Sequence, residues 1–123
     1  MANEITIQAM LNVQRSTLSL QGAGSQPCSP AGTKAASNQL SISTSGWTAI
    51  TLIDTGTNCG YMFLKNIDST NFVQLALDNA GAQIFAKIRA NEFCLLPLKD
   101  STTQIWAQAN TAAVSVIVVA AQA

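Results

Sequence analysis

Between residues 60 and 119 the apolar positions fall in short runs, Gly60–Ile67, Phe72–Asp78, Gln83–Ile88, Phe93–Leu98, Thr103–Ala109 and Val114–Val119, each set off by polar turn residues. No segment between them is long enough for a crossover helix, which predicts antiparallel strands paired with their sequence neighbours. Upstream, Glu4–Ala9 alternates with Ile5 and Ile7 on one face, and Leu11–Leu20 continues with Leu11 and Val13, then Leu18 and Leu20. The change of parity near Gln14–Thr17 implies a bulge or a bend. Gln39–Ser43 and Trp47–Asp54 alternate again, through Leu40 and Ile42, then Ile50 and Leu52. No helical period of useful length occurs, and turn signals recur every ~8–12 residues. The expected architecture is all-β: an antiparallel β-sandwich of about eight strands, jelly-roll or immunoglobulin-like. Its 123 residues are one domain's worth of chain, so one sandwich over residues 1–123 is expected, with an N-terminal arm at 1–9.

Residues 21–38 interrupt this pattern. They hold two of the three prolines, three glycines and nothing large and apolar, which predicts a long loop. A structureless stretch of that length is uncommon inside a compact domain, so it is either ordered by another chain or a plain flexible insertion. Parity in the second half raises a related question. Tyr61, Phe63 and Ile67 oppose Met62 and Leu64; Phe93 and Leu95 oppose Leu96 and Leu98; and Val114, Val116 and Val118 oppose Ile117 and Val119. Strands apolar on both faces call for a second layer or a neighbouring subunit, unless they are central and lie under loops. Val116–Ala120, uncharged and free of proline, must be paired internally or by another protomer. Pro97 places its own strand at an edge or a bulge.

Composition sharpens the picture. Charged residues make up 10% of the chain against about 25% in an average soluble domain, hydrophobic residues make up 48%, and the formal charge is zero. A surface of Ser, Thr, Asn, Gln, Ala and Gly suits a neutral soluble β-protein, and equally one covered by symmetry mates or a scaffold. Arg15, Lys34, Lys65, Lys87, Arg89 and Lys99 are balanced by six carboxylates and form no basic cluster, so no nucleic-acid partner is expected. The start Met-Ala-Asn-Glu-Ile has no basic stretch followed by an apolar one, and Ala112–Ala121 is too short to span a bilayer. No membrane association is expected, and synthesis in the cytoplasm is.

Cys28, Cys59 and Cys94 are odd in number and accompanied by no His, which removes the usual zinc patterns and favours free thiols over a Cys28–Cys59 bridge. Without His, catalysis would have to run on Glu4, Asp54, Asp68, Asp78, Glu92 and Asp100. Asp54, Asp68, Asp78 and Asp100 lie in turn sequences, where a short carboxylate accepts backbone N–H groups. Gly22-Ala23-Gly24 has neither a following helix nor a Lys-Ser/Thr pair to hold phosphate. The expectation is a protein that is not an enzyme, with no catalytic residue, cofactor, metal or small-molecule substrate.

Three segments carry a resemblance: Gly60 to Val73 (Gly-Tyr-Met-Phe-Leu-Lys-Asn-Ile-Asp-Ser-Thr-Asn-Phe-Val), Asn91-Glu92-Phe93 leading into Leu95, Leu96 and Leu98, and Ile105 to Val114 (Ile-Trp-Ala-Gln-Ala-Asn-Thr-Ala-Ala-Val). In order and spacing they resemble a family of small β-sandwich virion proteins of tailed bacteriophages, as does the opening Met-Ala-Asn-Glu-Ile-Thr-Ile-Gln-Ala. The similarity spans most of the chain except residues 21–46. Ala90-Asn91 replaces the Pro-Gly of that pattern, and Asn supplies the left-handed turn that Gly would. The chain ends in Val-Val-Ala-Ala-Gln-Ala instead of an acidic tail.

The resemblance implies a capsid decoration, or cement, protein on the capsid surface, bound to the major capsid protein as a symmetric homo-oligomer, a trimer. A tail, neck or fibre-base component is the alternative within the same class, and a module binding host glycans is the alternative outside it. Contact is expected at Asn3, Ile5 and Ile7, at Gln26 and Lys34, and at Trp47, Phe85 and Trp106, the three aromatics being equally candidates for the core.

Overall fold

The computed structural model describes residues 5–15, 17–28, 34–54, 56–99 and 102–122, and among them all regular structure is β. Length alone argues for one domain; the contacts divide the chain into two compact units, Met1–Thr33 and Lys34–Ala123.

The first unit is a ribbon of two strands, β1 (Ile5–Arg15) and β2 (Leu18–Cys28), paired antiparallel from Arg15 opposite Leu18 to Ile5 opposite Cys28. The parity change near Gln14–Thr17 therefore marks the bend of the two alternatives, since Arg15 and Leu18 stand opposite each other across the ribbon. Register sets position 13 opposite Leu20 and Leu11 opposite Gly22, so odd positions before the reversal share a face with even positions after it. The loop expected at 21–38 is also corrected: Gln21–Cys28 is the return strand, and Ala35–Asn38 already belongs to the next one. Gly, Ser and Gln carry little strand propensity, but a long partner ladder supplies their backbone hydrogen bonds, and the free edge of a two-stranded ribbon tolerates Pro27.

The second unit holds eight strands: β3 (Ala35–Ile42), β4 (Thr48–Thr51), β5 (Tyr61–Asn66), β6 (Val73–Ala76), β7 (Ile84–Ile88), β8 (Phe93–Pro97), β9 (Gln104–Ala109) and β10 (Val114–Ala121). They form two four-stranded antiparallel sheets, ordered β3-β10-β5-β8 and β4-β9-β6-β7. The pairs are nested, β3 with β10, β4 with β9, β5 with β8 and β6 with β7, as if one long hairpin were rolled into two layers. This is the jelly-roll form of the sandwich. Among the described residues of this unit only β6 and β7 pair as sequence neighbours, which corrects the neighbour pairing read from the sequence. Short polar connections can cross the ~10 Å between packed sheets as readily as they turn a hairpin, so pattern fixes the faces and not the partners.

Inward rows make the core. Met62 and Leu64 of β5, Val114, Val116, Val118 and Ala120 of β10, Ile105 and Ala107 of β9, and Val73 and Leu75 of β6 are all buried, with Ile42, Ile50, Leu52 and Ile88 closing the space. Each large aliphatic side chain so buried contributes about 1.5–3 kcal/mol before chain entropy is counted. Val116–Ala120 lies in a central strand between β3 and β5, and Pro97 lies in an edge strand, as their sequences require.

Candidate interaction surface

The outer face of the β3-β10-β5-β8 sheet is the most unusual surface of the sandwich. Alternation turns Phe93 and Leu95 of β8, Phe63 of β5, and Ile117 and Val119 of β10 away from the core, and register brings them together. Phe63 is opposite both Leu95 and Val119, and its ring centroid is 5.6 Å from that of Phe93. Phe93 is 62% exposed and Val119 is exposed as well. Only Lys65, opposite Phe93 and Ile117, brings charge to these rows. The two-faced strands of the sequence thus keep one apolar row in the core and show the other to solvent.

On the opposite sheet the outward row of β9 is Gln104, Trp106 and Gln108, with Trp106 opposite Ala49 and Ala76, and Gln108 opposite Gln74. Trp106 is half-buried on this face. Trp47 precedes β4 and is half-buried, its indole lying against Gly81, where any Cβ would overlap the ring. Phe85 is 40% exposed on the edge strand β7. Lys34 is tied into its own unit: its Nζ lies 3.1 Å from Asp54 Oδ2 and 3.1 Å from Thr57 Oγ1. Its backbone carbonyl accepts from Gln122 N–H at 2.8 Å. Asn3 lies outside the described residues, and for Ile5, Ile7 and Gln26 the backbone alone is described.

The residues that carry the family resemblance meet at one end of the sandwich. Asn66, fully buried, donates from Nδ2 to the carbonyls of Asn71 (2.8 Å) and Ile88 (3.2 Å) and accepts from Asp68 N–H at 2.9 Å. Asp68 Oδ1 accepts from Thr70 and Asn71 N–H, and these backbone bonds hold its carboxyl below the usual carboxylate range. Asn91 sits at φ 62°, the left-handed conformation expected of it, and donates to Asp68 O. Asn110 Oδ1 accepts from Phe72 N–H at 3.1 Å, and Thr111 Oγ1 lies 2.8 Å from Asn71 Oδ1. Three motifs far apart in sequence therefore join the β5–β6, β7–β8 and β9–β10 connections into one turn network.

The same chemistry accounts for the other described carboxylates. Asp54 Oδ1 accepts from Gly56 N–H, Asp78 Oδ1 from Ala82 N–H and Glu92 Oε2 from Arg89 N–H. The Thr57 hydroxyl, the Lys34 ammonium and Gly56 N–H together lower the Asp54 pKa to about 2. Asp100 and Glu4 lie outside the described residues. Cys59 is a buried free thiol donating to Tyr61 O at 3.0 Å, and Cys94 is a half-buried one; burial pushes both thiols up. No group of three or more His, Cys, Asp or Glu able to hold a metal occurs among the described residues. The apolar outer row was legible in the sequence as two-faced strands, whereas its concentration around Phe63 and Phe93 depends on the β5–β8 pairing, which the sequence did not suggest.

Comparisons with protein families, curated proteins and solved structures return no match for this chain.

Proposed function

We propose that this chain is a structural component of a bacteriophage particle, a decoration protein seated on the major capsid lattice as a symmetric homo-oligomer, a trimer. The observation that carries the reading is the exposed apolar face around Phe63, Phe93 and Val119, in a chain of only 10% charged residues whose formal charges cancel. Such a surface is costly in a free monomer and useful in an assembly, where covering it adds buried area between subunits. The motif resemblance supplies the class of assembly, and its residues form one hydrogen-bonded turn network.

Cosedimentation tests it. The purified chain should form a small oligomer, pellet with assembled capsids and ignore free capsid subunits; a chain that stays monomeric at high concentration and does not pellet with capsids refutes the reading. Cryo-electron microscopy of the particle distinguishes the capsid surface from the tail, neck or fibre base. A second reading, a module for host glycans, is favoured by Trp106 flanked by Gln74, Gln104 and Gln108, since an aromatic face with side-chain amides suits sugar rings. Glycan-array binding that is lost in Trp106→Ala would support it.

A further inference from the structure

We draw no further inference here: the strongest candidate, the apolar outer face of the β3-β10-β5-β8 sheet around Phe63 and Phe93, is the surface already described, and nothing in the structure shows what covers it.

Discussion

Replacing Asn66 by Ala should be among the most damaging single changes to the sandwich, although Asn66 touches no candidate partner surface. The side chain is fully buried and makes three hydrogen bonds, to the carbonyls of Ile88 and Asn71 and from the N–H of Asp68. Truncation leaves the Ile88 carbonyl without this partner in the interior, at about 1–3 kcal/mol, and loses two part-buried bonds at about 0.5–1.5 kcal/mol each. A loss near 3 kcal/mol follows, a large part of the 5–15 kcal/mol that holds a typical domain. With a urea dependence near 2 kcal/mol per molar, the unfolding midpoint should fall by about 1.5 M at unchanged slope. The adjacent, exposed Lys65→Ala serves as control and should move it little. A shift below about 0.3 M for Asn66→Ala, or one equal to the control, would show that the turn network does not rest on this amide.

Two further outcomes follow from the same geometry. Gly81 adopts φ +70° beneath the Trp47 indole, so Gly81→Ala should destabilise the sandwich by about 1–3 kcal/mol and change Trp emission, whereas Gly46→Ala, at φ +92° in open space, should cost about 1 kcal/mol and leave emission alone. In an NMR titration Asp54 should ionise near pH 2, and Thr57→Val or Lys34→Ala should bring it back toward 3.8. Because the folded pKa is depressed, the contribution of Asp54 to stability is complete above about pH 4 and fades as pH falls toward 2.

Much of this molecule is written locally in its sequence. Alternation at Met62 and Leu64 and along Val114–Val118 named the strands and sorted their residues into two rows, because period-two patterning is a property of neighbouring residues. Turn chemistry was equally local: Asp68 caps its own turn, and Asn91 takes the left-handed conformation that its residue type tolerates. Even the solvent-facing apolar row was visible, as strands with two hydrophobic faces.

What the sequence could not supply is partnership. That β5 lies between β10 and β8, setting Phe63 beside Phe93 and Val119, depends on how eight short strands share two layers, a choice set by the packing of the whole core and by no single segment. Gln21–Cys28 shows the same limit from the other side, since residues with little strand propensity become a strand when a long ladder is offered to them. Local pattern sorts the residues of each strand onto two faces. Only the assembled sheets decide which side chains end up together, because pairing energy belongs to two strands at once.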